Sequence, residues 1–588
     1  MFILSFPRLE ARVDWKAAMH RALAIPEIVF TICNAFVVDQ GHVEGQGPYV
    51  VSDTRALAAC ARTSRAFHLP AITALWKDKY LTIEDVVYCL LPADVWRVAD
   101  IAITYPFDCI GNRMALARSI TVQDTERLVK YAPLTNALVF GGASSYSHRS
   151  HVRGYSRNQE GLLDLSDEGY YALSVLFPEN LFPNLRHIYW NDLSANLAHI
   201  RSFLGPSIVS IHLYIHKSPL SSLSIVPHLP LRCPHVQDFL YRLDASVVSQ
   251  RRSHHEKLVL NAVSAWNLRA IETSIISEPV LCHLSRCPSI HSVKYLLADH
   301  SRQWKAAGLS HPNAFSSLCE LFLHLIPMKF AIDFFQGCRF DHLRNVFVRV
   351  IRPGRGEWPS LLRAFRAAHR QPQVLLELQI NEWTSTEESD RTPLSDADME
   401  PLFTFPSIEN LVLESAGGFD LSNETVERMA MAWPHMRNLR LWVKTPPTWT
   451  RRLTIDALTA LAHHCPALET LEIDFDATGI TLARNPRRPP LPPSLSMMNV
   501  QWSPITSARV VAAYLSVIFP LLADASMADE ADEEMQKRWK RVGSSVALFR
   551  KIRQQERMDV LGEEPALEDV VQDDDFESVS EEDPMDSD

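Results

Sequence analysis

The sequence predicts an α/β chain built mainly of stacked helix–turn–strand units, with a small helical domain ahead of them and an acidic segment behind. Three observations carry that expectation. A short pattern centred on proline recurs along most of the chain, residues 13–76 do not follow it, and the last 26 residues, Glu563 to Asp588, hold 13 Asp or Glu and no Lys or Arg. A non-repetitive chain of 588 residues is expected to divide into about four domains of roughly 150 residues each. A repeat is what allows so long a stretch to act as one architecture. Apolar residues make up 47% of the chain, enough for a large buried core.

The first element is helical. Val13 to Leu23 is expected to form a helix, followed by a second stretch from Ala24 in which Pro26 occupies a tolerated first-turn position. There Ile28, Ile32 and Phe36 form an apolar stripe. A Gly-rich polar insert, Gly41 to Pro48, separates this from a helix that Ser52 or Asp53 can cap and that runs through Leu57 and Cys60 to Phe67. A third short helix spans His68 to Trp76. Three helices of this size enclose too little core to be very stable alone.

The repeat follows. Its clear copies read Phe182-Pro183-Asn184-Leu185, Cys233-Pro234-His235-Val236, Cys287-Pro288-Ser289-Ile290, Phe405-Pro406-Ser407-Ile408, Trp433-Pro434-His435-Met436 and Cys465-Pro466-Ala467-Leu468. Each continues to a second apolar residue three positions on: Ile188, Phe239, Val293, Leu411, Leu439 and Leu471. Weaker copies place aliphatics at Ile208/Ile211, Leu268/Ile271, Leu318/Leu321, Leu343/Val346, Leu375/Leu378 and Leu495/Met498. The twelve copies lie 22 to 33 residues apart, about 28 on average, around the upper part of the range typical of leucine-rich repeats. After each aliphatic pair, alternation such as Leu411-Val412-Leu413 reads as a short strand with one face inward. Before it comes a helix, as in Asn423–Ala432 or Thr454–His463, which the proline ends. One unit cannot bury its own apolar face, so the units must stack.

Behind the repeats, Glu533 to Met558 carries Lys537, Arg538, Lys540, Arg541, Arg550, Lys551, Arg553 and Arg557, with Val542, Val546 and Phe549 at helical spacing. One amphipathic helix is expected, able to recognise a partner or membrane or to cap the repeats. The formal net charge is −11, and the acidic segment accounts for all of it, leaving +2 for the preceding chain. That balance offers no electrostatic footprint for nucleic acid. The acidic runs predict a solvated, disordered tail, with Ser578, Ser580 and Ser587 open to phosphorylation. The expected boundaries are therefore 13–80 for the helical domain, 81–523 for the repeats, 524–562 for the basic helix and 563–588 for the tail.

The residues at 25–29 (Ile-Pro-Glu-Ile-Val), 57–67 and 70–76 together resemble an F-box, in the form found in F-box/leucine-rich-repeat proteins of mushroom-forming fungi. Leu90 to Trp96 and Arg118 to Ala132 extend the likeness, and with the repeats it covers nearly the whole chain to about residue 523. The insert around residues 39–53 is longer than in compact F-boxes. What the resemblance implies is a three-helix F-box followed by a leucine-rich-repeat solenoid, or horseshoe, acting as an adaptor. Such proteins dock on a Skp-type subunit of a cullin–RING (SCF-type) ubiquitin ligase and capture a protein substrate on the repeats. Matching positions imply that Ile25, Pro26, Ile28, Val29, Leu57, Cys60 and Trp76 supply the docking surface or its support. Each of the seven either fills the small three-helix core or touches the partner. For the substrate, the expected concave strand face offers Arg186, Tyr189, Arg437, Arg440 and Trp442, with Glu409, Glu414, Glu469 and Glu472 among them. The alternative is a repeat scaffold whose helices merely cap the array, with no ubiquitin link.

Composition and motifs predict no chemistry. Ten cysteines never form a Cys-x-x-Cys pair, which argues against a zinc site or a disulfide framework. Gly, at 19 residues, is scarce, and Gly354-Arg355-Gly356 lacks the remaining features of a dinucleotide loop. His148-Arg149-Ser150-His151, His254-His255 and His463-His464 lack the His-Glu-x-x-His arrangement. Asp474 and Asp476 alternate on a strand and read as solvated. No metal, no cofactor and no enzymatic activity are expected. The longest strongly apolar uncharged run, Val510 to Ala523, is too short to cross a bilayer, and the opening residues lack a basic segment and a cleavage site. The sequence thus predicts an intracellular protein, cytoplasmic or nuclear, without membrane or nucleic-acid partners.

Overall fold

A computed structural model describes residues 23, 25–39, 50–52, 54–76, 81–103, 109–141, 163–177, 180–192, 196–216, 218–296, 314–351, 356–383, 392–444, 446–447, 449–481, 486–491, 493–528 and 531–561. Expectations for the helix before residue 23, the Gly-rich insert, Asp53 as a cap, the histidines at 148 and 151, Gly354 and the acidic tail lie outside these residues. The chain is a mixed α/β protein dominated by parallel strands. It divides into two compact units, Met1–Ser389 and Asp390–Asp588.

The first unit opens with α1 (Pro26–Asn34), α2 (Thr54–Thr63) and α3 (Arg65–Trp76). The break between the last two falls at Ser64, three residues before the sequence suggested. Pro70 therefore lies inside α3 rather than near its start, where its ring removes the bond otherwise made to the carbonyl four residues earlier. Val29, Cys33, Leu57, Ala61, Ala71 and Ala74 form the common core of the three helices, with Phe36, Cys60, Phe67, Ile72 and Leu75 packed against it. The next strands are not repeats. Trp96–Ile103 and Cys109–Leu116 form an antiparallel hairpin, and Leu163–Leu165 adds to it in parallel.

The parallel ladder of this unit begins at β1 (Ala137–Phe140) and continues through β2 (His187–Asn191), β3 (Ser210–Ile215), β4 (Asp238–Leu243), β5 (Ala270–Thr273), β6 (Ser292–Leu296), β7 (Glu320–Pro327), β8 (Asn345–Ile351) and β9 (Glu377–Trp383). Each strand pairs with the next in sequence. The register follows the repeat: Ile188 lies opposite Ile211, Ile211 opposite Phe239, Phe239 opposite Ile271 and Ile271 opposite Val293. Leu321, Val346 and Leu378 continue the row. The second unit repeats the arrangement in β10 (Asn410–Ser415), β11 (Asn438–Val443), β12 (Thr470–Glu472), β13 (Met497–Asn499) and β14 (Asp524–Ser526), with Leu411, Leu439, Leu471 and Met498 in one row.

All twelve aliphatic pairs read from the sequence are buried, none more than 1% exposed. The structure adds two copies. Thr135/Leu138 stands behind β1 and Leu522/Ala525 behind β14, all four buried. Both follow a proline, Pro133 and Pro520, in the same frame, but a polar or small residue occupies one position of each pair.

Proline sets the turn from helix to strand by a common geometry. Cys233, Trp433, Cys465 and Phe519 each precede a proline and each donates the last helical hydrogen bond to the residue four before it. Their backbones nearly coincide, with φ between −117° and −126° and ψ between 66° and 72°. The proline ring bars the residue before it from helical angles, and proline itself has no N–H to continue the ladder. The helix Asn423–Ala432 has the expected bounds, and Ser422 caps it by accepting from the Thr425 amide at 3.3 Å. The following one is shorter than expected, Ala457–His464. Its expected first turn is not α-helical: Thr454 bridges to Asp476, Ile455 donates to the Asp476 carbonyl, and Ala457 and Leu458 donate to carbonyls three residues back rather than four.

The end of the second unit is closed by α4 (Ala508–Ile518) and α5 (Glu533–Leu561). On α5, Trp539, Val542 and Val546 are fully buried, and the Trp539 indole donates to the Ser503 carbonyl at 2.9 Å. Gly543 lets the helix approach β14: a Cβ there would lie 3.3 Å from the Ala525 amide nitrogen. Arg553 donates from the same helix to the Ser516 carbonyl of α4. The apolar spacing of this basic helix thus serves packing.

Candidate functional site

Each repeat strand alternates buried residues, which face the helices, with residues on the opposite face. That open face and the N-terminal helices are the two surfaces on which the sequence placed functional residues.

In the N-terminal helices, the seven expected docking residues separate by burial. Ile25 is 46% and Ile28 37% exposed, and Pro26 is exposed beside them. Val29 and Leu57 sit inside the local core, and Cys60 packs against it. Trp76 is partly buried and stacks on Tyr131 with ring centroids 6.0 Å apart and planes 5° from parallel. The helix geometry explains the division. Val29 and Cys33, four residues apart, face α2 and α3, which turns the side of Ile25 and Ile28 outward. Leu69, 56% exposed on α3, is a further large apolar residue at the surface that the sequence reading did not single out.

The substrate candidates also separate. Tyr189 lies on the open face of β2, its ring edge-on to His212 at 4.6 Å. Arg440 and Trp442 share the open face of β11, with Trp442 42% exposed. Arg440 faces Glu472 of the next strand at 3.6 Å. Arg186 and Arg437, in contrast, are not strand residues: each stands one position before its strand. Their backbone amides are taken by the preceding repeat, at Asn136 and Glu409 respectively. Arg437 then bridges Glu409 at 3.4 Å and Glu469 at 2.9 Å, linking three successive repeats. Glu414 is nearly buried against Lys444 at 2.9 Å.

Asp474 corrects an expectation. Its carboxylate is not solvated but enclosed, 9% exposed and paired with Arg451 at 2.6 Å. Burial pushes its pKa up against the opposing pull of Arg451. Asp476 instead accepts from the Thr478 amide and hydroxyl in a tight turn. The histidine pairs are packing groups: the buried His255 meets the Tyr241 hydroxyl at 2.6 Å, and His463 meets the Thr459 carbonyl at 2.8 Å. Among the described residues no group of His, Cys, Asp and Glu could hold a metal ion, and no helix is long and apolar enough to cross a membrane.

The sequence reading missed a cluster on β7 to β9. The rings of Phe322 and Phe347 stack 4.2 Å apart with planes 7° from parallel, and His324 lies 5.9 Å from Phe322. Beside them the Arg349 guanidinium sits 5.8 Å from the Phe347 ring and 5.6 Å from Trp383, which is half exposed. The signal was present in Leu-Phe-Leu-His and Val-Phe-Val-Arg, two consecutive strands with rings and cations at the open positions.

No known protein-family model matches the chain, and no curated protein matches it.

Proposed function

We propose that this chain is a non-catalytic adaptor: an F-box protein whose leucine-rich repeats hold a protein substrate while its N-terminal helices dock on a Skp-type subunit of an SCF-type ubiquitin ligase. The observation that carries the reading is the combination of a small helical cluster presenting Ile25, Pro26 and Ile28 with strands that stack in repeat register. Val29 and Leu57 support the docking residues from within, and Trp76 fixes the cluster to the segment after it through Tyr131. The open strand face supplies rings and charges suited to protein recognition.

The test is co-purification of the full chain with a Skp-type protein. Pro26→Ala combined with Ile28→Asp removes exposed apolar contact without touching the local core, so it should abolish capture while the melting temperature holds. Retained capture, or no capture by the unaltered chain, would end the proposal.

A further inference from the structure

Among the described residues, Arg349 is a cation held in place by rings and an imidazole rather than by a carboxylate. Among the described residues no carboxylate lies within ion-pair distance of it, although most arginines on the repeat strands have one: Arg242 pairs with Glu272, and Arg440 faces Glu472. Its position is fixed instead by the Phe347 and Trp383 rings and by His324, whose Nε2 lies 3.2 Å from Nη1. Burial, with Arg349 and Arg242 adding to it, pushes the His324 pKa down to about 4. The imidazole is therefore neutral near pH 7, and its Nε2 accepts from the guanidinium. Acidic residues on the same face are engaged elsewhere: Glu272 pairs with Arg242, Glu320 accepts from Ser292 at 3.1 Å and Glu377 from Gln379 at 2.7 Å.

Two further features converge here. Lys294 of β6 is in register with Phe322, and Phe322 with Phe347, so one row across three strands reads cation, ring, ring. Lys294 stands in register with Glu272 of β5, whose carboxylate is taken by Arg242. Immediately after His324 the register slips, and Leu325 takes a left-handed φ of 56°, a conformation costly for a branched apolar residue. Bulges of this kind re-aim side chains and concentrate beside functional sites.

We infer that the open face of β6 to β9 binds an acidic segment of a partner protein, its carboxylates meeting Arg349 and Lys294 and an apolar side chain between them lying on Phe322, Phe347 and Trp383. The inference deepens the proposed function by naming the chemistry of the captured segment, and rests on that reading for the role of the face. Charge complementarity commits the occupant: two cations, neither in an ion pair among the described residues, frame a flat aromatic surface, and desolvating them is offset by anions. Strands about 4.8 Å apart, with one pleat repeat of about 6.6 Å along the strand, put the two cations on the order of 12 Å apart at the backbone. An extended segment spans that distance in three or four residues.

The full-length chain is screened against a randomised 12-residue peptide library displayed on phage, in parallel with Arg349→Gln. Enriched peptides should carry acidic residues three or four positions apart around an apolar residue. A synthetic peptide of that sequence should bind at least tenfold more weakly to Arg349→Gln and to Lys294→Gln, with unchanged affinity for Arg437→Gln. Far-UV circular dichroism and melting temperature establish that each variant is folded; Lys294 touches neither Arg349 nor His324 in the cluster, so its variant reports binding even where Arg349→Gln perturbs it. No enrichment, enrichment of neutral or basic peptides, equal affinity for the variants, or tighter binding of an oligothymidine 12-mer than of the acidic peptide would each overturn the inference. Skp capture separates the two proposals. Peptide binding lost with capture intact refutes only this one, and capture absent with peptide binding intact refutes only the adaptor role.

Discussion

Gln501 is a side chain that completes a strand. β12 is three residues long and its register with β11 ends at Arg440 opposite Glu472. Beyond that point Leu441 and Val443 have lost a partner on one side, yet both are buried. The Gln501 amide takes the vacant place: its Nε2 donates to the Leu441 carbonyl at 2.9 Å and its Oε1 accepts from the Val443 amide at 2.9 Å. A primary amide carries the same donor and acceptor as the peptide group it replaces. To reach them the residue adopts a left-handed φ of 52°, held by its own amide donating to Asn499 Oδ1 at 2.9 Å. Gln501→Leu leaves two buried backbone groups unsatisfied, at about 1–3 kcal/mol each, so a loss of about 2–6 kcal/mol is expected. Urea denaturation followed by far-UV circular dichroism reads the total, and hydrogen exchange reads the site, where the Val443 amide should lose its protection. Arg437→Gln is the control, since the two exposed ion pairs it removes contribute at most about 1 kcal/mol each. A Gln501→Leu midpoint no lower than that of the control, with Val443 still protected, would refute the reasoning.

Two further outcomes follow from buried titrating groups. His369 is 3% exposed, and burial pushes its pKa down from 6.5 to about 4. The unfolded chain therefore binds the proton first, and stability present above pH 6.5 is lost as the pH falls toward 4, by roughly 3 kcal/mol. Urea midpoints at pH 7 and pH 4.5 should differ more for the unaltered chain than for His369→Asn; equal differences would contradict this. Burial also raises the thiol pKa of Cys233 and Cys465 to about 12, and that of Cys338 further still; that of Cys89 is raised as well, by burial and by Asp85, but its residue is exposed to reagent. Only the thiolate reacts, so a mass-resolved labelling time course in native buffer should modify Cys89 well before those three, and urea should abolish the difference.

The repeat was legible because its period writes the same physical demand many times: a proline to stop a helix, then two apolar residues three apart to enter the core. Each copy is weak, and the spacing makes them strong together. Thr135/Leu138 and Leu522/Ala525 escaped because Thr135 is polar and Ala525 small, and neither advertises burial by type. Helix starts were harder. Thr454 has helical neighbours in sequence, and only the bridge to Asp476, in the next repeat, draws it into extended backbone. On the face, alternation told which residues point away from the core but not which charges are paired. Arg437 was read as a strand-face contact, whereas it lies before its strand between two glutamates, and whether Arg349 or Arg440 meets a carboxylate depends on the register of a neighbouring repeat. The hairpin at 96–116 carries no repeat signal, and nothing in the span marked it as a separate element.

A ladder of parallel strands that grows by adding one neighbour after another has no internal reason to stop, and its outermost backbone groups could recruit further chains. The first ladder strand of the first unit and the last of the second are both covered. β1 is met by the bridge from Thr82 and by the Val139 amide donating to Leu81, and three-residue β14 lies beneath α5 at the contact that Gly543 permits. Short and covered outer strands are how sheet proteins avoid edge-to-edge polymerisation. The long basic helix therefore does work that needs no ligand, and a chain deprived of it is expected to present its last strand as an open template to its own copies.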